Sequence, residues 1–171
     1  GCLVPLIGDF HYNGHLLLAQ FPDCAAALDK FRINPGNVGH GARRDENFAA
    51  ICRIAVDLDR PVRIGVNGGS LNQDLVMERM QQNTDLGLGK SSEEILNECM
   101  VGSAVQSTDL ALECGLRPDQ IILSCEVSRP RDLIRIYRRL ADEIRMAFGE
   151  IAGVDATEAP AYQANFLSVF F

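Results

Sequence analysis

Short apolar runs alternate along the chain with longer stretches in which apolar residues return every three or four positions. The runs are Val4 to Phe10, Phe31 to Asn34, Val62 to Asn67 and Gln120 to Cys125, and their brevity predicts strands. Between them the spacing predicts helices. One runs from Gly14 or His15 to Phe21 and is stopped by Pro22; a second short piece, capped by Asp23, reaches Leu28. The next begins at Asp45 and ends near Asp59, with Phe48, Ile51, Cys52 and Ala55 at i, i+3, i+4 and i+7. Asn72 to Asn83 turns Leu75, Val76 and Met80 inward. Ser91-x-x-Glu94 has the form of a capping box, and its helix runs to Gly115. Pro130 suits the start of a helix in which Leu133, Ile136, Tyr137, Leu140 and Ile144 share a face. Val38 to Arg44, which contains His40, is predicted to be a glycine-punctuated loop.

The order β-α-β-α-β-α-β-α, with no hairpin signals, implies α/β architecture with a parallel sheet: either doubly wound or a partial (β/α)8 TIM-type barrel of about four βα units. The alternation stops near Met146. The expected division is therefore a partial barrel over 1–145 and an atypical tail over 146–171, ending in the strand-prone run Phe166 to Phe171.

Polar residues gather where the strands end. Strand one offers Asp9, His11 and Asn13, strand two Arg32 and Asn34, strand three Arg63 and Asn67 with Gly65 between, strand four Ser124, Glu126 and Ser128. By period 2, each set shares a face. Strands packed by helices on both faces read as almost continuously apolar, so arginine within two successive strands favours a barrel mouth. An arginine fork suits phosphate oxygens, and two forks on neighbouring strands can grip a diphosphate. Asn34, Asn37 and Asn67 can orient oxygens without adding charge, and Gly36, Gly68 and Gly69 let backbone amides come close. The other reading of the same residues is that Arg32 and Arg63 pair with Asp9, Glu126 or helix termini and hold the barrel together. His11, on the face of Asp9, is a site candidate; His15 and His40 read as structural. Ser70 lacks the nucleophile-elbow pattern, and no Ser-His-Asp or Cys-His arrangement is indicated.

Composition narrows the classes. The chain has 171 residues, 47% of them hydrophobic, enough for a substantial core. A net charge of −7 argues against a nucleic-acid or anionic-membrane surface. Arg131, Arg135, Arg138 and Arg139 therefore read as a solvated helix face. No apolar run reaches membrane-span length and no signal-peptide pattern opens the chain, so a cytoplasmic location is expected. The start at Gly1, directly before a strand, is expected to lie inside a longer protein. The six cysteines show no Cys-x-x-Cys spacing, so reduced core thiols are expected and no metal is assigned.

Four segments together carry a resemblance: Asp9 to Asn13, Lys30 to Asn37, Arg63 to Leu71, and Ile121 to Cys125. In this order they resemble the 4-hydroxy-3-methylbut-2-enyl diphosphate synthase family, over residues 3 to 143. The resemblance implies a TIM-type barrel that binds 2-C-methyl-D-erythritol 2,4-cyclodiphosphate, in the methylerythritol phosphate route to isoprenoids. It also implies a separate domain with a 4Fe–4S cluster, ferredoxin or flavodoxin as electron donor, and a homodimer. Arg32, Asn34, Arg63 and Asn67 match the family's substrate contacts; Asp9 and His11 match its strand-end polar pair. A TIM barrel takes about 250 residues, so the chain corresponds to roughly half of one, its third to sixth βα units. The cluster ligands are not among its residues, and the fragment alone is expected to be inactive. Where the family usually has lysine after Ser124-Cys125, this chain has Glu126. The other readings are a phosphate-binding aldolase or pterin-type transferase on the same architecture, and a non-catalytic half-barrel that associates with itself.

Overall fold

The computed structural model describes residues 4–39 and 42–148. Its strands are β1 (Ile7–Phe10), β2 (Lys30–Ile33), β3 (Val62–Asn67) and β4 (Ile121–Glu126). Its helices are α1 (Gly14–Gln20), α2 (Pro22–Ala27), α3 (Ala42–Asp57), α4 (Gln73–Asp85), α5 (Ser92–Glu113) and α6 (Pro130–Phe148). Short 3-10 turns at Pro35–Asn37, Gly68–Ser70 and Pro118–Gln120 complete the connections.

The four strands form one parallel sheet in the order β1-β2-β3-β4. A doubly wound sheet reverses its strand order at a switch point; this one does not. Burial also differs between the two faces, apart from Gly65 and Ser124, which are buried on the face of Arg63 and Ile122. Phe31, Ile33, Val62, Ile64, Val66, Leu123 and Cys125 are buried beneath the helices, whereas Arg32, Arg63 and Ile122 on the opposite face are half-buried. Helices cover one face only. Sequential order with one-sided cover is the arrangement of a partial (β/α)8 barrel, in which the uncovered face is the concave interior.

The core lies between the covered face and α3 and α5. Phe31 and Ile33 from β2, Phe48 and Ile51 from α3, and Ile64 from β3 are almost wholly removed from water. Phe10 meets Phe31 edge-on, with ring centroids 5.8 Å apart at 85°. Helix α5 buries Ile95, Cys99, Met100, Val101, Ala104 and Ala111, more than one stripe, because it packs on β3, β4, α4 and α6 at once. Its start is held by reciprocal hydrogen bonds between Ser91 and Glu94. Its end is turned by Gly115 at φ +99°, a conformation open to glycine. Burial opposes the Glu98 charge, but hydrogen bonds from Lys90 and Arg139 overcome it and hold the carboxyl below its ordinary value. Arg131, Arg135, Arg138 and Arg139 of α6 are exposed. No described helix is long and apolar enough to cross a membrane.

Three boundaries differ from the sequence reading. Pro22 does not merely stop α1; it opens α2 at N1, where its missing N–H has no helical partner to lose. Asp23 therefore sits in the first turn of α2 and is not its cap. Helix α3 begins at Ala42, inside the stretch predicted as loop. The expected division after residue 145 falls within α6; His40 and 149–171, including the predicted strand at Phe166–Phe171, lie outside the described residues.

Candidate functional site

Parallel strands in register bring the polar strand ends side by side. Asp9 lies opposite Arg32, Arg32 opposite Arg63, Gly65 opposite Ser124, and Asn67 opposite Glu126. An open cavity of about 1120 Å³ lies along this face and over the strand ends, where α5 and α6 also line it. Asp9, His11, Arg32, Arg63, Asn67, Ser124 and Glu126 line it, with the Gly68-Gly69 turn and Ser128. Most of the candidate residues thus meet at one wall.

The two arginines are held differently. Arg32 donates from Nη1 to Asp9 Oδ1 at 2.8 Å, and the same nitrogen lies 3.2 Å from His11 Nε2. His11 Nε2 is 3.3 Å from Asp9 Oδ1, and its Nδ1 is 3.3 Å from Asn37 Nδ2. Arg32 Nη1 can only donate, so the imidazole accepts from it at Nε2, and Asp9 and His11 share that one guanidinium nitrogen. Arg32 is therefore aimed, but part of its charge is already matched. Gly65 gives it room: a methyl there would come within 2.9 Å of Arg32 Nε and 3.3 Å of Ser124 Oγ. Arg63 donates from Nε to Ser124 Oγ at 3.1 Å and makes no ion pair among the described residues. Two guanidinium groups thus stand side by side, one paired and one available.

Asn34 is placed elsewhere. Period 2 puts it on the face of Arg32, but the chain leaves the strand at Ile33, and Asn34 is fully buried outside the cavity wall. Its Oδ1 accepts from Gly36 N–H and from Ser70 Oγ, each at 3.0 Å. It therefore joins the turn after β2 to the turn after β3. Gly36 makes this approach possible, since a methyl there would overlap the Ser70 carbonyl. Removing the amide would leave the half-buried Gly36 N–H without its acceptor and Ser70 Oγ with the Asn67 carbonyl alone, at about 1–3 kcal/mol. Asn34→Ala is expected to lower the urea midpoint accordingly; an unchanged midpoint would refute the clamp. Asn37 also lies outside the wall and touches it through His11, and Asn13 does not line it.

Other wall residues carried no signal of their own in the sequence. Tyr137, assigned only to the apolar face of α6, places its hydroxyl 3.2 Å from the Cys125 backbone N–H, which donates to it. Burial raises the Tyr137 pKa, against the opposing effect of this bond. Arg129 holds Glu93 at 2.6 Å, tying α5 to the loop after β4. Such a pair, 36 residues apart, becomes visible only once the chain is folded.

No three His, Cys, Asp or Glu side chains among the described residues come together as a metal ligand set. Cys52, Cys99 and Cys125 are buried on separate elements, while Cys24 is exposed. Burial pushes the Cys52 thiol far up and the Cys125 thiol up to about 12. Protonated, dispersed thiols are poor ligands, because metals bind the thiolate.

The model of one protein family, described as the GcpE TIM-barrel domain, matches residues 1–161.

Proposed function

The chain belongs to the GcpE TIM-barrel domain family, and from that premise we propose that its strand-end wall holds the cyclic diphosphate substrate of the isoprenoid-pathway synthases. The family as a whole is one of iron–sulfur oxidoreductases of isoprenoid biosynthesis. The proposed substrate is 2-C-methyl-D-erythritol 2,4-cyclodiphosphate, which the complete enzyme converts to 4-hydroxy-3-methylbut-2-enyl diphosphate.

One observation carries the reading: Arg32 and Arg63 are lateral partners on adjacent strands and line one cavity. Two planar forks at that spacing suit the oxygens of a diphosphate. Arg63 binds the anion most strongly, because no protein carboxylate competes for it. Arg32, oriented by Asp9 and His11, supplies a second set of donors that needs little reorganisation. Asn67 and the Gly68-Gly69 amides contribute neutral donors around the same ligand. Asn34 acts indirectly, by holding the turn that carries Gly68 to Ser70.

When bound, the family's cluster would relay two electrons from a ferredoxin or flavodoxin for the ring opening and the loss of a hydroxyl as water. The described cysteines do not fit such a cluster, so these residues have no redox step and their part is to bind and orient substrate. In this proposal the cluster ligands lie outside residues 1–145, a ferredoxin or flavodoxin delivers the electrons, and the complete enzyme is a homodimer that works in the cytoplasm. Calorimetric titration of the 171-residue chain with the cyclic diphosphate tests this directly. Saturable binding is expected, with no product under reduced flavodoxin. Turnover by this chain, or a stable brown chromophore after anaerobic loading with iron and sulfide, would refute the division of labour. Absence of binding would refute the site.

A further inference from the structure

The charges on the cavity wall are unevenly matched. Asp9 pairs with Arg32 at 2.8 Å, Glu93 with Arg129 at 2.6 Å, and Asp132 with Arg135 at 3.7 Å. Arg63 and Glu126 remain, neither in an ion pair among the described residues. Glu126 is exposed at the end of β4, beside Asn67 on β3. The wall carries four carboxylates, Asp9, Glu93, Glu126 and Asp132, against three arginines, Arg32, Arg63 and Arg129. An anion site walled in this way is not net positive. It therefore offers one strong anion contact and, further along the strands, one unmatched carboxylate.

The register sets their separation. Arg63 lies opposite Ile122, and Glu126 follows four residues later on the same face of β4. Arg63 Nε reaches Ser124 Oγ at 3.1 Å, two residues before Glu126, so at ~3.3 Å per residue the guanidinium end and Glu126 lie roughly 7 Å apart along the sheet. A ligand whose anionic group sits at Arg63 and Ser124 extends from there toward Asn67 and Glu126. An ionised carboxylate accepts hydrogen bonds and donates none. At that end it rewards a hydroxyl group and repels further phosphate charge.

We propose that Glu126 is a specificity residue: it accepts a hydrogen bond from a ligand hydroxyl and selects against ligands that bring added negative charge to the Asn67 end. The favoured class is a compact phosphate ester bearing free hydroxyls, over an open, more highly charged diphosphate. A cyclic diphosphate of a polyol meets this description, since ring closure removes charge and leaves hydroxyls. The inference rests on the anion-site reading above and adds the sign of the selectivity.

The test compares inorganic pyrophosphate with glycerol 3-phosphate by calorimetry, using the 171-residue chain, Glu126→Gln and Arg63→Gln. The glutamine keeps the shape of an exposed side chain and removes its charge, and matched melting curves verify folding. Glu126→Gln is expected to tighten pyrophosphate binding about tenfold and to leave glycerol 3-phosphate unchanged or weaker. An unchanged affinity ratio for the two ligands overturns the role of Glu126. If binding is then still lost in Arg63→Gln, the anion site stands without that role. If neither ligand binds the parent chain or Glu126→Gln, both readings fall.

Discussion

Arg63→Gln is expected to weaken pyrophosphate binding by about ten- to a hundredfold, with little change in melting temperature. A charge-assisted hydrogen bond contributes about 1.5–3 kcal/mol, and each ~1.4 kcal/mol is a tenfold change in Kd. The loss should fall near the top of that range because Arg63 has no ion pair to break first. Its Nε bond to Ser124 is all that the fold loses, and a half-buried polar residue with one such bond adds little to stability. Arg63→Lys should recover only part of the affinity: an ammonium restores the charge but cannot present two parallel donors to phosphate oxygens. Titration of the three chains with pyrophosphate gives the ranking. Equal affinity for the parent and Arg63→Gln would remove Arg63 from the site and leave its arginine as a strut between β3 and β4.

Phe31→Ala is expected to lower the unfolding free energy by about 3–5 kcal/mol. Phe31 has no exposed surface, lies on the covered face of β2, and packs edge-on against Phe10. Truncation would leave a cavity between the sheet and α3 and remove the aromatic contact that fastens β1, the edge strand, to β2. Domains of this size are stable by only about 5–15 kcal/mol, so one such change removes a large part of the margin. Phe31→Leu, which keeps most of the volume, should cost much less. Urea denaturation monitored by far-UV circular dichroism separates the three chains; a Phe31→Ala midpoint within error of the parent would show that the core lies elsewhere.

Much of the architecture was legible in the chain because its signals are local. The Ser91–Glu94 box, Gly115 at a positive φ and Pro130 at the first turn of α6 each punctuate an element through their own backbone chemistry. Pro22 was misjudged for the same reason. A proline that ends one helix and a proline that opens the next look alike until the backbone direction is known. Strand alternation places Arg63, Gly65 and Asn67 on the cavity side, where it carries through to the last residue of β3. It failed at Asn34, one position past the end of β2, where alternation no longer governs where the side chain goes.

The sequence by itself determined the α/β order, the preference for a barrel wall over a doubly wound sheet, and the family, because all three rest on periodicity and on short ordered motifs. Only the tertiary structure decided how the charges are shared. Asp9 is claimed by Arg32, Glu93 by Arg129, and Asn34 by the turn at Ser70, leaving Arg63 and Glu126 as the unmatched pair. The physical reason is distance in space. Parallel pairing brings residues 23 to 61 positions apart into hydrogen-bond range, and which partner each charge takes depends on strand register and helix placement, not on its neighbours in sequence.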